Sequence, residues 1–379
     1  MTDLFEPATM GAMTLRNRFV RSATWEGMAT EKGAVTGKLI ETIRTLAKGG
    51  VGLIISGHAY IRPEGQAGPW QLGLYEDALV AGLKEMTAAA HAEGAKIVAQ
   101  LAHAGRFAAR QLSGRAPWVV SPDETQESAD QQVIGPEQID TLIASYVHAA
   151  DRARAAGFDG VQIHSAHGYL LSQFLSPKFN RRDDHYGGSI ENRSRLHVQI
   201  IEAIRKRVGA DLAVLMKING ADFDPEGLSA EAALAAIRII SAAGLDGVEV
   251  SGGLLTSAKR SPARLKINAV DKEAYHKVEA IRIKQAVSIP VILVGGIRSM
   301  AVAQQALRAG AADFIALSRP LIREPDLIRR WQSGDLRKAA CNSDNLCFKP
   351  AQSGAGIYCV TAERERLKEG DDQLAGSPA

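Results

Sequence analysis

Ala156-Gly157-Phe158-Asp159-Gly160-Val161-Gln162-Ile163-His164 decides how this sequence folds. A helical pattern, Pro136–Ala156, runs into a glycine suited to the left-handed position just past a helix end. A short apolar run, Gly160–His164, follows at once. The same unit returns at Ala243-Gly244-Leu245-Asp246-Gly247 and at Ala309-Gly310-Ala311-Ala312-Asp313. This is an αβ unit recurring within one fold, and it is not a solenoid repeat.

Working outward, eight apolar runs alternate with eight amphipathic segments in strict order. The runs are Arg18–Ser22, Val51–Ser56, Lys96–Leu101, Gly160–His164, Ala213–Ile218, Gly247–Ser251, Pro290–Val294 and Asp313–Ala316. The helical segments are Val35–Lys48, Ala78–Ala92, Pro136–Ala156, Ile190–Val208, Ala230–Ala243, Lys272–Val287, Met300–Ala309 and Pro325–Gln332. Strands that are apolar without alternation are buried on both faces, as in a parallel sheet covered by helices. A doubly wound open sheet is the rival architecture. Eight units favour closure, so the expected class is α/β, a TIM (β/α)8 barrel with a short C-terminal extension. The barrel is expected over residues 1–334 and the extension over 335–379.

The 379 residues suit one such barrel, with 46% apolar and 23% charged residues. A net charge of +3, with no basic block carrying interleaved aromatics, argues against nucleic acid. Residues 1–13 carry no signal-peptide pattern, and no uncharged stretch is long enough to span a bilayer, so a cytoplasmic location without membrane partners is expected. Three cysteines, Cys341, Cys347 and Cys359, argue against a disulfide framework. Around them the tail reads as one short charged helix, Thr361–Glu369, and a polar end expected to be disordered.

Two long connections, Ala102–Gly135 and Ser165–Ser189, leave the C-terminal ends of strands, where barrel enzymes place their active sites. The second opens with His164-Ser165-Ala166-His167-Gly168-Tyr169. Two imidazole N–H donors can hold one carbonyl oxygen and stabilise charge developing on it, and a nearby phenol can donate a proton. The alternative for any single histidine is a packed, hydrogen-bonded residue. A metal site is disfavoured, because His-x-x-His here lacks a neighbouring Glu and an obvious third ligand. Lys217 is a charge inside an apolar strand and needs a partner. Gly295-Gly296 and Ser318-Arg319 follow the seventh and eighth runs, the usual phosphate site of a barrel.

After Tyr169 come Phe174-Leu175-Ser176-Pro177, then Asn180 to Ser189, then Glu191-Asn192-Arg193. This stretch resembles the Old Yellow Enzyme family of NADH:flavin oxidoreductases. The resemblance extends to Asn17-Arg18, to Gln100-Leu101 with His103-Ala104-Gly105-Arg106, and to the glycine and arginine loops above, and so covers the whole barrel. It implies an ene-reductase that binds FMN, takes hydride from NADH or NADPH and reduces the C=C bond of an α,β-unsaturated carbonyl compound.

By the resemblance, His164 and His167 hold the substrate oxygen, flavin N5 delivers hydride to the β-carbon, and Tyr169 or water protonates the α-carbon. Ser22, Ala23, Thr24, Gly57, Gln100, Lys217, Gly252, Gly253, Gly295, Gly296, Ser318 and Arg319 are the cofactor-binding positions. Trp25 stands where relatives usually place Thr or Cys. That Thr or Cys hydrogen-bonds flavin O4 in the family, so either Trp25 shapes the substrate pocket or Thr24 takes over the hydrogen bond through a local shift. Gly27 stands where some bacterial relatives carry a substrate-contacting Tyr.

The tail resembles the iron–sulfur segment of the 2,4-dienoyl-CoA reductase branch, which uses four cysteines. Here Asp344 occupies one ligand position, so a degenerate remnant without cluster or metal is expected. Three readings compete with ene-reduction: a flavin dehydrogenase or reductase of steroid, acyl-CoA or amine substrates; a flavin-free phosphate-binding lyase or isomerase; and a flavin-binding protein without activity. A homo-oligomer is compatible with the sequence, which defines no symmetry.

Overall fold

Eight parallel strands pair in chain order: β1 (Phe19–Arg21), β2 (Leu53–Ile55), β3 (Lys96–Ala102), β4 (Gly160–Ser165), β5 (Ala213–Asn219), β6 (Gly247–Ser251), β7 (Val291–Val294) and β8 (Phe314–Leu317). The ring closes where Ile315, Ala316 and Leu317 of β8 face Phe19, Val20 and Arg21 of β1. The computed structural model describes residues 3–122, 130–257 and 259–375. The architecture is a TIM barrel, with α1 (Gly37–Lys48), α2 (Val80–Ala92), α3 (Pro136–Ala155), α4 (Ile190–Val208), α5 (Ala230–Ser241), α6 (Lys277–Lys284), α7 (Met300–Arg308) and α8 (Leu327–Gln332) between and after the strands.

The recurring αβ unit has a physical role for each of its residues. Gly157, Gly244 and Gly310 all have positive φ and end their helices. The Asp that follows accepts a hydrogen bond from the backbone of a neighbouring strand. Asp159 Oδ2 takes Ile97 N at 2.9 Å, Asp246 Oδ2 takes Val214 N at 2.8 Å and Asp313 Oδ2 takes Val291 N at 2.8 Å. A basic side chain neutralises each: Lys96, Arg205 and Lys284. These buttresses stand at the N-terminal rim, opposite the site.

A hairpin, Ala8–Met10 with Met13–Leu15, seals that rim. Its Met10, Met13 and Leu15 are buried against Val20, Leu53, Val98 and Leu215 inside the barrel. The hairpin is too short for sequence periodicity to reveal. Two further boundaries differ from expectation. The sixth helix begins at Lys277, because Val270–Lys272 forms a 3₁₀ turn and Ala274 adopts φ 51°. The tail helix, α9, is longer than expected, Val360–Ala375, and residues 376–379 lie outside the described part. No helix among the described residues is long and apolar enough to cross a membrane.

Candidate active site

A cavity opens at the C-terminal ends of the strands. Its lining includes Ser22, Ala23, Thr24, Trp25, His164, His167, Tyr169, Lys217, Gly295, Gly296, Ser318 and Arg319, all singled out in the sequence. His58, Ser251, Tyr275 and Arg298 join them, as do Ser343 and Phe348 from the tail.

The three central side chains converge. The His164 and His167 rings are 5.3 Å apart at 70°, and Tyr169 stands edge-on to His164 at 4.9 Å. His58 stacks parallel to His164 at 6.5 Å and meets Tyr169 at 5.6 Å. His167 sits at φ 65°, a strained conformation for a residue with a Cβ. Two contacts fix it there: its backbone N–H donates to Asn219 Oδ1 at 3.2 Å, and its Nε2 lies 2.7 Å from Ser251 Oγ. His164 Nδ1 is buried and has no partner within the protein.

Burial holds both imidazoles well below the usual histidine range, and the neighbouring histidines and Lys217 push the same way. Burial brings His58 down to about 4. Burial pushes the Tyr169 phenol up, so it keeps its proton. The cluster therefore presents neutral N–H groups and a protonated hydroxyl.

Beneath it runs a buried polar chain that the sequence reading did not assemble. Gln100 Nε2 donates to Gln162 Oε1 at 2.7 Å, Gln162 Nε2 donates to Glu249 Oε2 at 2.9 Å, and Lys217 Nζ stands 3.0 Å from Glu249 Oε1. Ser22 Oγ donates to the same carboxylate at 2.6 Å and accepts from Lys217 at 2.8 Å. Glu249, one of the β6 residues, was the available signal: a charge within an apolar strand must be paired.

Four expected positions, Gly57, Gln100, Gly252 and Gly253, lie off the cavity. Gln100 points into the polar chain. Gly57 donates its N–H to Glu26, itself paired to Arg21 at 2.8 Å. Gly252 packs under Phe223 and His276, and Gly253 against the Arg260 carbonyl. At position 24 the hydroxyl is engaged, donating to Ser22 O at 3.0 Å and lying 2.7 Å from Ser318 Oγ. Trp25 Nε1 is buried without a partner.

The tail forms one wall. Asn345 Oδ1 accepts from Arg319 Nη1 at 2.7 Å, and Ala351 fills the space a side chain at Gly27 would need. Asp344 turns away and accepts from Thr361 Oγ1 at 2.7 Å, while Arg323 donates to Cys359 Sγ at 3.6 Å. Burial and the neighbouring Cys341 thiol push Cys347 up to about 11. Among the described residues no group of three or more His, Cys, Asp or Glu is arranged to hold a metal ion.

A flavin mononucleotide fits this donor set. Trp25 Nε1, His164 Nδ1 and Arg298 Nε belong to cavity-lining residues and are buried polar atoms without a protein partner. Arg319 and the Gly295-Gly296 backbone stand at the ends of the seventh and eighth strands, where barrels hold phosphate. The barrel and this cavity suit a flavin-binding protein. The chain belongs to the NADH:flavin oxidoreductase / NADH oxidase family, whose profile matches residues 3–337, and its cofactors are FMN and a nicotinamide cosubstrate.

It is 38% identical over 336 residues to a metal reductase of Desulforamulus reducens, covering 88% of this chain and 49% of that protein. It is 32% identical to a 4,4'-dithiodibutanoate disulfide reductase of Rhodococcus erythropolis, covering 97% of each. An Old Yellow Enzyme homologue from Zymomonas mobilis superposes with a TM-score of 0.75 at 28% identity, covering 90% of this chain and 96% of that one. The chain spans about half the length of the metal reductase and of an NADH oxidase of Thermoanaerobacter brockii.

Proposed function

We propose that this protein is an ene-reductase that reduces the C=C bond of α,β-unsaturated carbonyl compounds with NADH or NADPH. The convergence of His164, His167 and Tyr169 on one cavity supports this reading most directly. Bound flavin supplies hydride transfer from the nicotinamide to the substrate. Lys217, Gly295, Gly296, Ser318 and Arg319 are the residues that would hold it.

His164 and His167 receive the carbonyl oxygen through N–H donors. Because both rings are held neutral, they polarise the carbonyl without a fixed positive charge. Polarisation draws electron density from the β-carbon, where hydride arrives. Tyr169, kept protonated by burial, gives its proton to the α-carbon. Trp25, whose indole replaces the usual small side chain, narrows the substrate side of the cavity.

The test is spectroscopic. The flavin-loaded protein is bleached anaerobically with NADH or NADPH, and 2-cyclohexenone is added. Return of the oxidised spectrum is expected. A protein that bleaches but stays reduced does not use simple enones.

A second reading, reductive cleavage of a disulfide, is favoured by the nearly complete mutual coverage with the dithiodibutanoate disulfide reductase. The same reduced protein reoxidised by 4,4'-dithiodibutanoate, and not by the enone, would select it.

A further inference from the structure

A second groove adjoins the cavity and shares Ala263 and Tyr275 with it. Its lining carries Lys259, Arg264 and Lys272 against one acid, Asp271, and the same segment, 259–272, adds Arg260 and Lys266 beside it. The net +4 of these fourteen residues exceeds the +3 of the whole chain, so the rest of the molecule is slightly acidic. We propose that this groove binds a phosphate monoester on an adenosine nucleotide whose other end enters the flavin cavity. The proposal deepens the reductase reading above and rests on it for the identity of the reacting end.

Arg264 is the centre of the groove. Its guanidinium lies 4.3 Å over the Tyr275 ring and 5.3 Å over Phe223, and Arg260 covers Phe223 at 5.3 Å. Two arginines thus crowd one aromatic ring, although like charges repel. No carboxylate lies within ion-pair distance of Lys259, Arg260, Arg264 or Lys266 among the described residues, and Arg264 Nε is buried without a partner. Glu279 acts on Arg264 from beyond ion-pair distance, yet cations gathered this way with no paired carboxylate make a binding site for an anion. A planar guanidinium clamped by aromatics offers a phosphate a preorganised fork.

The placement is built into the backbone. The Arg264 carbonyl accepts from Arg319 Nη1 at 2.8 Å, which ties the groove to the phosphate end of the flavin site. A Cβ on Gly253 would fall 1.9 Å from the Arg260 carbonyl, so the glycine lets the cationic segment lie close to the barrel mouth.

Two reactants carry such a phosphate: NADPH, on the 2′ position of its adenosine ribose, and a coenzyme A thioester, on the 3′ position. Calorimetry on the flavin-loaded protein separates them, with adenosine 2′,5′-bisphosphate, adenosine 3′,5′-bisphosphate and adenosine 5′-monophosphate as probes. One bisphosphate is expected to bind roughly tenfold tighter than the monophosphate, an advantage that shrinks with added salt. Preference for the 2′,5′ isomer assigns the groove to the nicotinamide donor, and preference for the 3′,5′ isomer to the substrate.

Arg264→Ala is expected to abolish the advantage. The exposed double variant Lys259→Ala/Arg260→Ala is expected to reduce it severalfold while leaving turnover of NADH with 2-cyclohexenone unchanged. Bisphosphates that bind no tighter than the monophosphate, or a preference that survives in both variants, overturn the proposal. The titration reads no turnover, so a failure of enone reduction is seen separately.

Discussion

Lys217 Nζ stands 3.0 Å from Glu249 Oε1, and both side chains are shut away from water at the centre of the barrel. The lysine that reaches the flavin cavity is therefore already half satisfied by a carboxylate below it. Its charge acts on the cavity only in part, because Glu249 draws it downward. Glu249→Gln keeps the shape and removes the counter-charge. With FMN bound, the midpoint potential is expected to rise by about 30 mV or more, the equivalent of about 1.4 kcal/mol for a two-electron couple. Reduction against a reference dye measures it. Without FMN the same variant loses about 3–5 kcal/mol of unfolding free energy, the usual cost of breaking a buried pair, seen in urea melts.

The two imidazoles act together on one oxygen. His164→Ala combined with His167→Ala is expected to lower kcat/KM for 2-cyclohexenone by about 10²–10³, as for lost oxyanion donors. Reduction of the flavin by nicotinamide should change far less. Rapid-mixing measurements of the two half-reactions distinguish them, and equal losses in both would sink the assignment.

Tyr169→Phe removes the proton donor and leaves the oxygen-binding pair. Reoxidation by the enone is expected to slow by about 10²-fold at saturating substrate, with little change in its apparent affinity. A solvent deuterium effect on that step, present in the native protein and lost in the variant, locates the proton transfer.

Burial holds His58 at about 4 and His103, His197 and His276 at about 3, against about 6.5 for an exposed imidazole. These groups stay neutral in the fold while the unfolded chain takes up protons below pH 6.5. Stability is therefore full above that pH and falls as pH drops from 6.5 toward 4. The slope is about 1.4 kcal/mol per pH unit for each such histidine. Thermal melts of the flavin-free protein between pH 8 and pH 5 should show a flat limb and then a fall. An unchanged Tm at pH 5 would contradict the buried, neutral assignment.

The barrel was legible because three αβ units repeat one punctuation: glycine to stop the helix, aspartate to fasten its strand to the neighbour before it. The His164–Tyr169 cluster was legible because it follows a strand at the catalytic rim. Position along the chain could not show that Gln100 points at Gln162 and not into the cavity, since its direction depends on the buried carboxylate of Glu249 three strands away along the ring. Nor could it show Gly252 and Gly253 seating a neighbouring loop, or His58 stacked beside His164. The Asp344 position read as a lost ligand; in the fold its carboxylate serves Thr361.

The wall built by Ser343 and Phe348 sets an order of assembly. A ribosome that has released all eight strands has made a closed ring but an open chamber, because that wall comes from the stretch that follows. Retention of the flavin is thus a late event in synthesis, governed by docking of the tail against Gly27 and Arg319. A molecule nicked just after Gly334 is expected to keep its barrel and hold flavin less tightly.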